Sequence, residues 1–146
     1  LMRELPQERL SIAVSAVAAC EAVILETVKY VKERTAFGKA IADFQHTQFK
    51  LAELEAEVTV MRVFIDRCAE LLVKKELSTV EASKAKLLAT ELQGKVTDQC
   101  VQMHGGYGYM WEYPVARAYA DARVQRIYGG TSEVMKLIIG RDLLAD

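Results

Sequence analysis

Four short stretches of this sequence combine residue types that can act on a ligand. The first is Leu5-Pro6-Gln7-Glu8-Arg9-Leu10, which sets a carboxylate beside a guanidinium where an apolar-periodic segment opens. A carboxylate in the first turn of a helix meets the positive end of the helix dipole, so on one reading Glu8 is helix-start electrostatics. On the other it is a general base, a role that asks for partial desolvation, and Arg9 beside it faces solvent or holds an anionic ligand. The second stretch is Glu33-Arg34-Thr35-Ala36-Phe37-Gly38. Arg34 either compensates a helix carboxy-terminus or reaches a pyrophosphate, with Phe37 packing on an aromatic ring and Gln45 offering an amide nearby. The third is Gln102-Met103-His104-Gly105-Gly106-Tyr107-Gly108-Tyr109, whose glycines let backbone amides approach a ligand or simply cap a helix and turn. In the fourth, Ile127-Tyr128-Gly129-Gly130-Thr131-Ser132-Glu133, paired glycines before hydroxyls make either an anion-tolerant amide pocket or a glycine turn with a threonine cap.

These stretches punctuate long helical patterns. A first helix is expected from Pro6, a favoured first-turn residue, to about residue 34. Its many alanines allow neighbouring helices to approach closely. Residues 35 to 44 read as a loop with Gly38 as its flexible point. A second helix, about 45 to 73, carries Leu51, Leu54, Val58, Met61, Ile65, Cys68 and Leu72 at alternating steps of three and four, a heptad stripe. Ser78-Thr79-Val80-Glu81 fits a capping box opening a third helix, which runs through Leu88, Leu92, Val96 and Met103 to Gly105. A short fourth helix begins near Pro114 with Val115, Ala118 and Ala122. Thr131 caps a last one carrying Leu137, Ile138 and Leu143. No segment sustains period-two alternation. The fold class is therefore all-α, an antiparallel helical bundle of about five helices occupying residues 1–146.

The bulk properties narrow the function. The 146 residues suffice for one compact core, and the formal charge of −1 comes from interspersed acids and bases. Such a balance argues against a nucleic-acid or anionic-membrane surface, and no uninterrupted apolar run reaches the roughly 20 residues of a membrane span. Cys20, Cys68 and Cys100 have no paired spacing and read as buried thiols of a reducing compartment. His46 and His104 are too isolated to hold a metal. Leu1 is not an initiator and no signal or transit pattern is present, so the chain reads as a piece of something longer.

Taken together, the order and spacing of ERxxFG, FQ, QxxGGxGY, YPV and YGGTSE resemble the carboxy-terminal domain of the acyl-CoA dehydrogenase family along essentially the whole chain. The resemblance implies an FAD enzyme with a helical amino-terminal domain, a middle β domain and this bundle, assembled as a homo-oligomer, dimer or tetramer. It implies removal of the pro-R α-hydrogen of an acyl-CoA as a proton and of the β-hydrogen as hydride, giving a trans-2-enoyl-CoA. Electron-transfer flavoprotein is the implied acceptor, and the mitochondrial matrix or bacterial cytoplasm the implied setting. By the same resemblance Arg34, Phe37 and Gln45 contact the cofactor's pyrophosphate and adenosine end. Gln102, Met103, His104, Gly105 and Gly106 join that site from a neighbouring subunit, and Thr131, Ser132 and Glu133 form a third contact. Pro6, Gln7, Arg9, Gly129 and Gly130 border the acyl-CoA.

One departure from the family pattern is informative. Many members carry the catalytic glutamate directly after the tyrosine, as YEGT, where this chain has Gly129. A smaller group, including long-chain and isovaleryl-CoA dehydrogenases, carries it on the first helix of this domain, and that position here is Glu8 within PQER. Gly129 still keeps its amide, so the half of the site that polarises the thioester carbonyl survives. Two other readings stay open: a non-catalytic helical scaffold of the same fold, and a related flavoenzyme of oxidase or nitroalkane type. Glu8 discriminates, since a scaffold has no need of that carboxylate.

Overall fold

The computed structural model describes residues 5–145, so Leu1 and its bearing on the chain's start lie outside the described residues. Helix α1 spans Leu5–Glu33. It is followed by a hairpin of two-residue strands, β1 (Thr35–Ala36) and β2 (Lys39–Ala40), and a 3₁₀ turn at Ile41–Asp43. Then come α2 (Gln45–Val73), α3 (Thr79–His104), a 3₁₀ stretch at Gly105–Tyr109, α4 (Pro114–Gln125) and α5 (Ser132–Leu143). The all-α expectation holds, with every helix within a residue or two of its expected bounds.

Helix α1 is the axis of the bundle. Its buried face, Leu10, Ala13, Ala16, Val17, Cys20, Val23, Ile24, Thr27 and Val31, repeats at steps of one, three and four and packs chiefly on α3. Ala13 and Ala16 meet a helix whose own buried set includes Ala82, Ala85 and Ala89. Small side chains on both partners bring the axes close. The heptad stripe of α2 completes this core with Leu54, Val58, Ile65 and Cys68, and all three cysteines are buried free thiols. Arg62 of α2 donates two hydrogen bonds, at 2.8 and 2.6 Å, to the Glu21 carboxylate on α1. By length and mean hydropathy, 1.8 over 18 residues, α1 is the one helix among the described residues that meets the measure of a membrane-spanning helix. It is also the helix that α2, α3 and α4 enclose, which is why its sequence is so apolar.

The helix ends are set locally. Ser78 Oγ accepts from the Glu81 N–H at 3.1 Å while Glu81 Oε2 accepts from the Ser78 N–H at 3.3 Å, the reciprocal pair of a capping box. Thr131 Oγ1 accepts from the Val134 N–H at 3.3 Å and caps α5, Pro114 opens α4, and Gly105 closes α3 at φ 59°. Ser78→Ala is expected to cost about 1 kcal/mol. It should lower the unfolding midpoint by a few degrees while leaving helix content intact, and an unchanged midpoint would show that the cap contributes nothing.

One expectation needs correction. Residues 35–40 are not a plain loop. Thr35 pairs with Ala40 and Ala36 with Lys39, and Phe37 and Gly38 turn the chain at φ 53° and 81°, the pattern of a type I′ hairpin. Leu88 is 49% exposed and lines a shallow groove between α2 and α3 with Val60 and Met61. On α5, Leu137 and Leu143 are exposed, and Met135 and Ser132 are its buried residues.

Candidate active site

The four sequence stretches gather into two places, one at each end of α1. Arg9 and Arg34 stand 25 positions apart along it, so at 1.5 Å per residue these two arginines lie roughly 37 Å apart.

At the first place the start of α1 meets the turn between α4 and α5. Of the two readings offered for Arg9, facing solvent or holding an anionic ligand, the first does not hold. Arg9 is buried, its Nη1 donates to Ser83 Oγ of α3 at 3.3 Å, and its Nε donates to the Gly129 carbonyl at 3.4 Å. Lys86 of α3, with no exposed surface, donates from Nζ to the Gly130 carbonyl at 2.5 Å. Burial pushes the Lys86 ammonium below its ordinary range, and the nearby Arg9 charge adds to this while Glu91 opposes it. Gly129 and Gly130 take φ of 64° and 111°, conformations that side chains with a Cβ resist. A Cβ at Gly129 would fall 2.5 Å from Ile12 Cδ1, and one at Gly130 would fall 2.5 Å from Met135 Cε.

Glu91 ties the far side of this turn. Its Oε1 accepts from Ser132 Oγ at 2.6 Å and its Oε2 accepts from Arg126 Nη1 at 3.3 Å. Among the described residues nothing accepts the N–H groups of Gly129, Gly130 and Thr131, three consecutive donors next to the positive end of α5. Thr131, Ser132 and Glu133 border a small concavity that also carries Arg123, Arg126 and Lys136. The Glu133 carboxylate is held below its usual range by its own backbone N–H and by the Thr131 hydroxyl. Glu8 is exposed, one helical turn before Ile12 and therefore on the face of α1 that looks toward Gly129. Pro6 is half-buried and Gln7 exposed on the same first turn. The partial desolvation asked of a base is not supplied by this chain's own described residues.

At the second place a cleft of about 530 Å³ opens between the end of α1 and the end of α3. Arg34, Gln102, Met103, His104, Gly105 and Gly106 line it together with Tyr30 and Tyr107. The Arg34 guanidinium lies 5.4 Å from the centre of the Tyr107 ring and forms no ion pair among the described residues. Tyr30 stacks on His104 at 4.1 Å and donates from its hydroxyl to the His104 carbonyl at 3.2 Å. The His104 Nδ1 lies 2.8 Å from the Cys100 carbonyl, which can only accept, so Nδ1 carries the hydrogen. The three glycines divide their labour. Gly105 and Gly106 face open space, whereas a Cβ on Gly108 would run into the Val101 backbone carbonyl, so Gly108 serves the chain's own packing.

Phe37 and Gln45 flank this cleft without lining it. Phe37 is 97% exposed at the hairpin tip, at a φ disfavoured for any residue with a side chain, and its ring meets Phe44 edge-on. Arg34 and the 102–106 stretch, expected to come from neighbouring subunits, line one cleft of a single chain, whereas 131–133 lie apart from it, beside Glu91 in the middle of α3.

Sequence reasoning missed Lys86, Ser83, Glu91 and Arg126. A signal for the first two was present, since Ser83, Lys86, Thr90, Gln93 and Thr97 recur at steps of three and four and all are buried. That polar stripe runs beside the apolar one and marks α3 as enclosed on two faces.

Comparison with known proteins shows what the whole chain is similar to. A family model described as "Acyl-CoA dehydrogenase, C-terminal domain" matches residues 1–144. The chain is 56% identical over its whole length to the long-chain specific acyl-CoA dehydrogenase, mitochondrial, of Rattus norvegicus, and spans 34% of that relative. The crystal structure of an acyl-CoA dehydrogenase from Geobacillus kaustophilus superposes at a TM-score of 0.96 with 46% identity, covering 99% of this chain and 38% of that one. A glutaryl-CoA dehydrogenase from Mycobacterium smegmatis in complex with FADH2 superposes at 0.93 with 25% identity, over 97% of this chain and 37% of that one.

Proposed function

The chain belongs to the acyl-CoA dehydrogenase family, as its carboxy-terminal domain, and from that premise we propose that the enzyme containing it dehydrogenates a saturated acyl-CoA to the trans-2-enoyl-CoA. The observation that carries this reading is the meeting of α1's first turns with the Gly129–Thr131 loop, a carboxylate on one side and free amide donors on the other. Glu8 takes the α-proton. As that proton leaves, negative charge builds on the thioester oxygen, and backbone N–H groups of the Gly129–Thr131 loop stabilise it. Arg9 binds Gly129 from behind rather than touching the acyl group. The remaining domains and the acyl chain itself supply the dry surroundings that the exposed Glu8 lacks here.

FAD fits the residues present. A guanidinium without a carboxylate partner, open glycines and an exposed aromatic suit a phosphate-bearing aromatic group at the cleft, with Arg34, Phe37, Gln45 and Gln102 to Gly106 as its contacts. The free amides, Thr131 to Glu133, and three nearby cations suit a second contact. When bound, FAD supplies acceptance of the β-hydrogen as hydride. The Thr131–Glu133 contact lies beside Glu91 on α3, which is 11 positions and so roughly 16 Å along the helix from Gln102 at the cleft. The enzyme is taken to be a homo-oligomer, dimer or tetramer, as the family resemblance implies. Electron-transfer flavoprotein then receives the electrons, in a mitochondrial matrix or bacterial cytoplasm that keeps the three thiols reduced. The isolated chain is expected to be inactive.

Anaerobic titration of the FAD-loaded full-length enzyme with a panel of acyl-CoAs tests the reading. Bleaching of the flavin by saturated members is expected. A panel that leaves the flavin oxidised would favour the scaffold. Arg34→Gln should weaken FAD retention by about 10- to 100-fold, the worth of one hydrogen bond to a charged group. Equal retention would remove Arg34 from the site.

A further inference from the structure

We propose that Lys86 is a positioning residue for the proposed dehydrogenation, acting through the Gly130 carbonyl to aim the amide donors of the Gly129–Thr131 loop at the ligand. The inference rests on the dehydrogenase reading above. Lys86 is fully buried in the middle of α3 and spends its ammonium on one backbone oxygen, Gly130 O, at 2.5 Å. Arg9 holds the preceding carbonyl, Gly129 O, at 3.4 Å from a different helix. Two buried cations side by side repel each other and are costly to desolvate, so packing alone does not explain them. Helical neighbours such as Ala85 and Ala89 show that α3 accepts small apolar residues in its buried faces.

The geometry of the peptide unit says what the pair achieves. A trans peptide is planar and its C=O and N–H point in opposite directions. With the Gly129 carbonyl turned inward to Arg9, the Gly130 N–H points away from the core. With the Gly130 carbonyl turned inward to Lys86, the Thr131 N–H points away as well. Both glycines have positive φ and no side chain of their own to fix the plane of either peptide. The loop would therefore be free to flip its peptides, and the two cations prevent it. Among the described residues nothing else bonds to either carbonyl, and no acceptor takes the N–H groups of Gly129, Gly130 or Thr131. Lys86 thus touches no reacting atom, and its effect on the reaction passes through the orientation of the loop.

The test uses the full-length FAD-loaded enzyme with Lys86→Met, which keeps the length and removes the ammonium, and Lys86→Gln, which keeps a shorter neutral donor. Three quantities are read: the limiting rate of flavin bleaching by a saturated acyl-CoA, the dissociation constant of the enoyl-CoA product, and the red shift of the bound enoyl thioester's ultraviolet band, which reports carbonyl polarisation. In Lys86→Met the rate is expected to fall about 100-fold, as for loss of alignment at an oxyanion donor. The red shift should shrink while the dissociation constant changes less than about threefold, and Lys86→Gln should recover part of both rate and shift. A parent that bleaches alongside a Met variant with the parent's rate and red shift would overturn the role of Lys86 alone. Loss of FAD or of fold in both variants would make Lys86 a structural residue and also overturn it. A parent that no acyl-CoA bleaches would remove the dehydrogenase reading, and this inference with it.

Discussion

Replacing Glu8 with Gln in the full-length enzyme is expected to slow flavin reduction by saturated acyl-CoA by on the order of 10²- to 10⁴-fold, the contribution of a positioned general base. The amide keeps the size and hydrogen-bonding reach of the carboxylate and loses only the ability to take a proton. FAD content, the product's dissociation constant and thermal stability should therefore stay close to the parent's, because Glu8 is exposed and forms no ion pair among the described residues. The expectation rests on position. Ile12, one turn after Glu8, has its Cδ1 2.5 Å from where a Cβ on Gly129 would stand, so the Glu8 face of α1 looks onto the Gly129 loop. If the Gln variant lost FAD together with its rate, Glu8 would be a structural or cofactor residue instead.

The second large effect is expected at Gly129. Its φ of 64° costs about 1–2 kcal/mol for any residue with a Cβ, and the collision with Ile12 adds about 1–3 kcal/mol of overpacking. Gly129→Ala should therefore lower the denaturant stability of the enzyme by about 2–5 kcal/mol. Ile12→Ala in the same chain should relieve the steric part and leave the backbone part. A double variant no more stable than expected from simple addition of the two single changes would show that Ile12 is not the obstacle.

Much of the fold was legible because its signals are local. Ser78 with Glu81, Pro114, Gly105 and Thr131 each end or begin a helix through bonds spanning four residues or fewer. The alternating stripe of α2 likewise needs no partner to be read. What escaped is what depends on distant residues. Two-residue strands have no period to detect, and the turn that joins them carries a phenylalanine where a sequence reading expects glycine or asparagine. Arg9 at a helix start reads as a solvent-facing cation, yet its partners, Ser83 and Gly129, lie 74 and 120 positions away. Lys86 is hidden for the same reason, 44 positions from its only acceptor. The candidate site residues were found as sequence stretches, whereas their separation into two places follows from the packing of α1 and α3.

The central claim is that a carboxylate on α1 removes the α-proton of a bound acyl thioester, and hydrogen exchange at that carbon tests it without relying on hydride transfer. The full-length enzyme and its Glu8→Gln variant, both FAD-loaded and anaerobic, would be incubated in D₂O with a saturated acyl-CoA, and the recovered thioester examined by mass spectrometry. Deuterium at the α-carbon with the parent, and none above the enzyme-free background with the Gln variant, is the expected result. Equal deuterium incorporation by both proteins would mean that another group takes the proton, and the assignment of Glu8 would be wrong.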